Sequence, residues 1–153
     1  MRRMDADWRD NLIEDDAAIV VIAGEAQRVA VLGIKPESHA DQAAFRVPQY
    51  LQGAGVTVIP VPVYYPDVTT ILGCPVHRRI ADVPGPVDIL DVFRKPSDID
   101  AHVDDLLAAR PSAVWFQLGI RNDTAAERLA RAGIRVVQDR CLMVEHRRAR
   151  ATE

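Results

Sequence analysis

The sequence predicts an α/β fold, a three-layer αβα domain around a mostly parallel five-stranded sheet. Five short apolar runs, each bounded by glycine or proline, have the length and β-branched content of buried strands. Segments with helix start and stop signals lie between these runs, so strands and helices alternate along most of the chain. Because parallel strands need crossover connections, the alternation predicts βαβ units with helices on both faces of the sheet.

The composition is that of an ordinary globular domain. A chain of 153 residues fits one domain, and such a chain buries about 70% of its unfolded surface without help from disulfides or metal. Hydrophobic residues at 48% and charged residues at 27% exclude disorder as the main state. The formal net charge of -3 excludes a molecule that attracts polyanions as a whole, so we expect no nucleic-acid partner.

The cysteine content and the apolar runs indicate the compartment. Cys74 and Cys141 are too few for a disulfide framework and indicate a reducing environment. The apolar run at 17–23 is too short to span a bilayer, and the acidic residues before it oppose a secretory signal. We therefore expect a cytoplasmic protein without a targeting segment or a membrane partner. The spacings of Cys74 with His77 and of Cys141 with His146 match no strong zinc pattern, so we expect no metal site.

The chain is predicted to divide into three parts. Residues 1–27 form an N-terminal helical extension, in which the acidic amphipathic segment 8–23 is a helix packed on the outside. Residues 28–140 form the α/β domain. Residues 141–153 form a C-terminal surface segment with a frayed end, because this stretch is rich in arginine.

The elements of the central part follow from local signals. The five predicted strands are 28–33, 56–61, 87–93, 113–118 and 134–138. The three predicted helices between them are 45–52, 97–109 and 122–132. Only the first turn of a helix tolerates proline, so Pro48 places the start of the first helix near Ala44. Ser97 and Asn122 are the expected N-cap residues of the other two.

The candidate ligand site lies at the carboxyl ends of the strands, where open parallel sheets bind their ligands. The first predicted strand ends at Gly33, and a glycine, a loop and a helix start in that order favour an anion. Lys35, Arg94 and Lys95 also follow predicted strands, and these cations suit a phosphorylated nucleotide. No second or third glycine follows Gly33 before the helix, so the glycine-rich dinucleotide fingerprint is absent.

Candidate catalytic residues are few. The serines lie in no hydrolase nucleophile motif. Asp88 and Asp91 are three residues apart in a strand, so they point to opposite faces and form no carboxylate pair. Asp91 is a candidate to hydrogen-bond either a ligand or a neighbouring loop. Cys141 is either an inert buried cysteine or a reactive one.

Four segments are informative when taken together. They are VAVLGIKP at 29–36, FRVPQYLQGAGVTVIPVPV at 45–63, LGCPVHRRIADVPGPVDILDVFRKP at 72–96 and WFQLGIRNDTAAERLARAGIRVVQDRCLMVEH at 115–146. In order and spacing, the chain resembles the small bacterial CoA-binding proteins. These are single Rossmann-like domains similar to the CoA-binding portion of the succinyl-CoA synthetase α-subunit. The resemblance implies a Rossmann-like fold and CoA, or an acyl-CoA, as the ligand.

The resemblance also implies a place for each part of the ligand. The residues implied at the pyrophosphate are Gly33, Ile34 and Lys35. Those implied beside the adenosine and its 3′-phosphate are Pro60 and Val61, with the loop after them. Those implied along the nucleotide are Val92, Phe93 and Arg94. Those implied on the pantetheine side are Gln117 and Gly119.

The first loop departs from the family pattern. Relatives commonly have Ser-Tyr-Arg before the first helix, whereas this chain has Ala44, Phe45 and Arg46. Two hydroxyl groups that bond a phosphate are therefore missing, and Arg46 remains as the charged member of the site.

The function expected from these observations is binding of CoA or an acyl-CoA, a small-molecule nucleotide ligand, without catalysis by the protein itself. One alternative is an enzyme, or enzyme subunit, that uses an acyl-CoA with a contribution from Cys141 or His39. Another alternative is an NAD(P)-responsive regulator, since the domain type is shared. A homodimer is possible if apolar faces are exposed.

Overall fold

The computed structural model describes residues 7–152, and its centre is a sheet of five parallel strands. The strands of the chain are β1 (Arg28–Leu32), β2 (Thr57–Val61), β3 (Thr70–Ile71), β4 (Cys74–Pro75), β5 (Ile89–Val92), β6 (Ala113–Phe116) and β7 (Arg135–Val137). The parallel sheet has the order β2-β1-β5-β6-β7, and β3 and β4 form a separate antiparallel pair. The predicted five-stranded parallel sheet is confirmed. The β3–β4 hairpin was not predicted, because two-residue strands have no periodicity to detect.

Helices cover both faces of the sheet. They are α1 (Asp16–Glu25), α2 (Ala43–Gly53), α3 (Val103–Ala109), α4 (Asp123–Arg131) and α5 (Leu142–Ala151). Successive strand residues face opposite sides, so Val31 and Trp115 pack in one core with α1, α2 and α5. Leu32 and Phe116 pack in a second core with α3 and α4. The result is the predicted three-layer, Rossmann-like α/β architecture.

The N-terminal segment corrects one prediction. The single helix predicted at 8–23 is instead a 3-10 helix at Trp8–Asn11, an extended stretch, and then α1. The Ile13 N–H donates to the Val136 carbonyl at 2.9 Å, so the stretch pairs with the outer edge of β7. The Asp15 carboxylate accepts the Ala18 N–H at 3.0 Å and caps α1. The prediction also included residues 1–6, which lie outside the described part of the chain.

The C-terminal segment corrects a second prediction. Instead of a surface segment, residues 142–151 form α5, in which Leu142, Glu145 and His146 are buried. The helix packs against α1 so closely that a Cβ on Gly24 would lie 2.5 Å from the Cβ of Ala149. The arginines that suggested a surface segment occupy the outward side of this amphipathic helix.

Helix α2 begins at Ala43, one residue before the predicted start, although Pro48 lies in its second turn. Proline has no N–H, so the Ala44 carbonyl, four residues earlier, has no partner within the helix. That carbonyl accepts the N–H of Lys35 at 3.2 Å. Pro48 thus frees an acceptor that fixes the loop after β1 to the first turn of α2.

The helix predicted at 97–109 has two parts. Pro96–His102 is a 3-10 helix, and α3 begins at Val103. Ser97 does not cap it, because the 3-10 helix starts with Pro96 at its first position, one residue earlier. The predicted cap of α4 is confirmed, since the Asn122 side chain accepts the Ala125 N–H at 3.0 Å. No helix in residues 7–152 has the length and apolar character needed to cross a membrane.

Candidate functional site

The topology defines where the crevice of the sheet lies. Strand β1 has β2 on one side and β5 on the other, so the chain reverses its direction of winding between β1 and β5. At such a switch point the loops leaving the two strands turn away from each other, which opens a crevice at their carboxyl ends. The candidate site is therefore the edge formed by the loops after β1, β2 and β5.

A groove of about 60 Å³ lies at this edge, and we call it the switch-point groove. Its lining comes from three loops and consists of Gly33, Ile34, Lys35, Val63, Tyr64, Tyr65, Phe93 and Arg94. Five of these residues were predicted as ligand contacts from the sequence and lie together here. The three from the loop after β2 follow the predicted Pro60 and Val61.

At Gly33 the backbone of the loop after β1 passes close to the backbone of the loop after β5. Its φ of 85° is in the left-handed region, and its N–H donates to the Val61 carbonyl at 2.9 Å. A Cβ at this position would lie 2.2 Å from the Phe93 carbonyl oxygen. Only glycine fits, because both the backbone conformation and the space exclude a side chain.

Two cations line the groove and differ in how they are held. Lys35 is partly exposed, and its Nζ donates to the Gln42 side-chain oxygen. Arg94 is only 14% exposed, and one of its terminal nitrogens lies 3.6 Å from an Asp98 carboxylate oxygen. Its guanidinium carbon lies 5.6 Å from the centre of the Tyr64 ring. Arg94 is thus held by three neighbours at the groove, whereas the more exposed Lys35 side chain has one hydrogen-bond partner, Gln42.

His102 completes the surroundings of Arg94. Its Nε2 accepts a hydrogen bond from Arg94 Nε at 3.3 Å. Burial lowers the pKa of His102, and the nearby Arg94 charge lowers it further. A neutral imidazole is the form that accepts this bond, so His102 orients Arg94 without cancelling its charge.

Several predicted contacts take part in the sheet itself rather than in the groove lining. Pro60, Val61 and Val92 are buried strand residues, and their carbonyls accept the N–H groups of His77, Gly33 and Gln117. These hydrogen bonds fix the loops to the ends of the strands, but the three residues do not line the switch-point groove.

The remaining predicted contacts lie apart from this lining. Arg46 is exposed on α2, and its side chain forms no hydrogen bond or ion pair with another residue of 7–152. Gly119 donates its N–H to an Asp139 carboxylate oxygen at 2.6 Å, and Gln117 is buried. The ligand roles of these residues remain predictions.

Asp91 and Gln117 form a buried polar pair beneath the carboxyl edge of the sheet. Gln117 Nε2 donates to Asp91 Oδ1 at 2.6 Å, so the partner of Asp91 is a side chain on the neighbouring strand-end. Asp91 Oδ2 has no hydrogen-bond partner within the described residues. Burial raises the pKa of Asp91 to about 8, although the bond from Gln117 opposes this shift. The carboxyl group is therefore mainly protonated at neutral pH.

Tyr64, Tyr65 and Arg78 are residues that the sequence analysis did not single out. The tyrosines follow a predicted strand in an aromatic pair, and that position is a usable signal. Tyr65 has a φ of 66°, and its ring lies 5.2 Å from that of His39. Arg78 has no such signal, because its partners are backbone carbonyls.

The candidate catalytic residues His39 and Cys141 have separate surroundings in the described chain. Between residues 7 and 152 no group of three histidine, cysteine or acidic side chains is arranged to hold a metal ion. His39 contacts Ser38 and Tyr65 in the loop after β1. Cys141 packs against the apolar core at the start of α5.

A larger cavity of about 360 Å³ lies elsewhere, between the N-terminal stretch, α4 and the loop after β7. Its lining is acidic, with the four carboxylates of Glu14, Asp123, Glu127 and Asp139 against the two arginines Arg121 and Arg140, so it does not favour an anionic ligand. Arg121 lies 3.2 Å from Asp123 and 3.7 Å from Glu14, and Asp139 accepts the Gly119 N–H. We therefore place the candidate site at the smaller groove, where the topology and the cations coincide.

Taken together, a parallel sheet covered on both faces and a glycine turn at its switch point define a Rossmann-like α/β domain. Residues 27–147 match the family described as the CoA binding domain. The chain belongs to this family.

Relatives of similar length support this assignment. YneT, an uncharacterized protein of Bacillus subtilis (strain 168), is 29% identical over 130 residues, which are 85% of this chain and 93% of that protein. A solved Thermus thermophilus structure, cell-free ID.343, is 40% identical with a TM-score of 0.80, over 89% of this chain and 99% of that one. A hypothetical protein from Pyrococcus horikoshii OT3 is 29% identical with a TM-score of 0.78, over 89% and 92% of the two chains.

Proposed function

We propose that this protein binds CoA or an acyl-CoA with the diphosphate seated in the switch-point groove, and that it does so without catalysis of its own. The observation that carries the proposal is the coincidence of Gly33, Lys35 and Arg94 in one groove at the switch point of a CoA binding domain. The loop after β2 would then flank the adenosine, and the Gln117 end of β6 would face the pantetheine.

The chemistry of the groove supports an anionic ligand. The glycine turn allows close approach of a diphosphate to the backbone, as a side chain at Gly33 would not. The N–H of the next residue, Ile34, forms no hydrogen bond with any other residue of 7–152, so a donor is available there. Arg94 and Lys35 add charge-assisted hydrogen bonds, which are stronger than neutral ones.

The proposal is tested by titration calorimetry of CoA against Lys35→Ala and Arg94→Ala. Each substitution is expected to weaken CoA binding about tenfold, since a hydrogen bond from a charged group contributes about 1.5–3 kcal/mol. Arg135→Ala is the charge-matched control, because Arg135 lies at the amino end of β7, on the opposite edge of the sheet. Unchanged affinity in both groove variants would place the ligand elsewhere.

Thermal unfolding with CoA, dephospho-CoA and NAD distinguishes the alternatives. A ligand at about 100 times its Kd stabilises the folded state by about 2.7 kcal/mol. A larger shift with CoA than with dephospho-CoA is expected if the 3′-phosphate is bound. A shift with NAD alone would favour the regulator. Turnover of acetyl-CoA that is lost in Cys141→Ser would favour the enzyme.

A further inference from the structure

Arg78 is joined to the loop after β2 by an unusual set of hydrogen bonds. Its two terminal nitrogens donate to the carbonyls of Tyr64 at 3.2 Å, Tyr65 at 3.0 Å and Pro66 at 3.3 Å, and also to that of Val68. One guanidinium group thus contacts four backbone carbonyls within residues 64–68. Three of these carbonyls, those of Tyr65, Pro66 and Val68, are bonded by one terminal nitrogen, which has two N–H groups, so two of them share one hydrogen.

The backbone of Arg78 is itself fixed to the sheet. The preceding residue, His77, donates its N–H to the Pro60 carbonyl of β2 at 2.9 Å, and Val76 donates to Thr69 at 3.0 Å. The β3–β4 hairpin therefore returns the chain to the strand from which the loop departed. Arg78 holds the loop from a position that is fixed relative to β2.

The loop that Arg78 holds has two further side-chain contacts, both at the groove: Arg94 lies against the Tyr64 ring and His39 lies against the Tyr65 ring. Tyr64 is 61% exposed, so its ring gains little from burial. Tyr65 has a left-handed backbone conformation, which is unfavourable for a residue with a side chain. A loop of this kind populates other conformations unless the surrounding structure holds it. Both tyrosines form one wall of the switch-point groove.

We propose that Arg78 is a positioning residue for the CoA site: it does not touch the ligand, but its bonds to the carbonyls of Tyr64, Tyr65, Pro66 and Val68 keep the wall of the groove in its binding conformation. This proposal rests on the proposed function. When only a fraction of the molecules has the binding-competent loop, the apparent Kd rises by the inverse of that fraction. Loss of Arg78 would therefore weaken binding although no ligand contact is removed.

The test compares Arg78→Ala and Arg78→Lys with Arg79→Ala. Arg79 is the matched control, because it is the neighbouring exposed arginine and its side chain bonds no other residue of the described chain. CoA affinity is measured by calorimetry, and amide hydrogen exchange is followed at Val68, whose N–H donates to the Tyr65 carbonyl at 3.1 Å. Thermal unfolding without ligand is measured in parallel.

We expect Arg78→Ala to raise the Kd for CoA about tenfold and to speed exchange at Val68 in the ligand-free protein. Arg78→Lys should lie between, since an ammonium group lacks the planar fork, and Arg79→Ala should match the wild type. A lower melting temperature with unchanged affinity would assign Arg78 a structural role only and overturn the proposal. If the wild-type protein itself does not bind CoA, the proposed function is wrong. That result is distinguishable from a failure of the Arg78 proposal, because it is seen without any variant.

Discussion

At the scale of single residues, the structure assigns the glycine of the first turn two separate constraints. Gly33 must adopt a positive φ, and it must leave room for the Phe93 carbonyl oxygen. Gly73 satisfies only the first constraint, because it has a φ of 72° and open space around the position of a Cβ. A comparison of the two glycines therefore separates the free-energy cost of a positive φ from the cost of a steric clash with Phe93.

We predict that Gly33→Ala destabilises the protein more than Gly73→Ala does. The left-handed backbone alone costs alanine about 1–2 kcal/mol, which both variants share. Gly33→Ala also forces β1 and the loop after β5 apart, which adds about 1–3 kcal/mol of overpacking and weakens CoA binding. Urea unfolding of the two variants measures the difference. Equal destabilisation would show that the contact with Phe93 relaxes without cost.

The raised pKa of the Asp91 carboxyl group predicts how the stability of the protein depends on pH. Its pKa is raised to about 8 in the folded protein, from 3.8 in a free side chain. Between these values the unfolded chain releases a proton that the folded protein keeps, so rising pH favours unfolding, by at most about 1.4 kcal/mol per pH unit. Above the folded pKa this contribution becomes constant.

Asp91→Asn removes this titration while keeping an oxygen that can accept the bond from Gln117. The stability of the variant relative to the wild type is therefore expected to increase between pH 5 and pH 8. Chemical unfolding at a series of pH values provides the measurement. Parallel pH profiles for the two proteins would contradict a raised pKa for Asp91.

At the scale of elements, helices α1 and α5 are in closer contact than their sequences suggest. Helix α1 is apolar on most of its surface, and Gly24 lets it approach α5 at Ala149. The two helices run side by side, since the start of α1 also meets the start of α5 through an ion pair of 2.7 Å between Asp16 and Arg140. The Tyr50 hydroxyl then joins α2 to α5 through His146 Nδ1 at 2.8 Å.

We predict that Gly24→Ala lowers the free energy of unfolding, although alanine is the better helix former. A Cβ there would lie 2.5 Å from that of Ala149, and overpacking of this kind costs about 1–3 kcal/mol, against a propensity gain of about 1 kcal/mol. The double variant Gly24→Ala/Ala149→Gly should recover part of the loss, as measured in a double-mutant cycle. Simple additivity would mean that the helices separate instead of clashing.

At the scale of the whole molecule, the sequence predicts the features that depend on residues close together in the chain. The five parallel strands and the cap at Asn122 were predictable, because apolar runs and capping side chains act within a few residues. The pairing of Ile13 with Val136 and the burial of α5 were not, because each depends on a partner more than a hundred residues away. A break at Leu12 or a buried face at Leu142 has no local signal.

The candidate site divides in the same way. Gly33, Lys35 and Arg94 each follow a strand, and the carboxyl ends of neighbouring parallel strands lie at the same edge of the sheet. Their common groove was therefore predictable from the sequence. Arg78 was not, because its acceptors are backbone carbonyls that every residue provides, and only the fold shows which carbonyls it meets.

The contact between α1 and α5 has a consequence for synthesis on the ribosome. The chain is made from its N-terminus, and segments fold as their partners emerge. Helix α1 is complete by Glu25, yet its neighbour α5 begins only at Leu142. Helix α1 is therefore made long before α5, although it can pack earlier against β1 and α2. During that interval the side of α1 that α5 covers in the folded protein is open to contact with other chains.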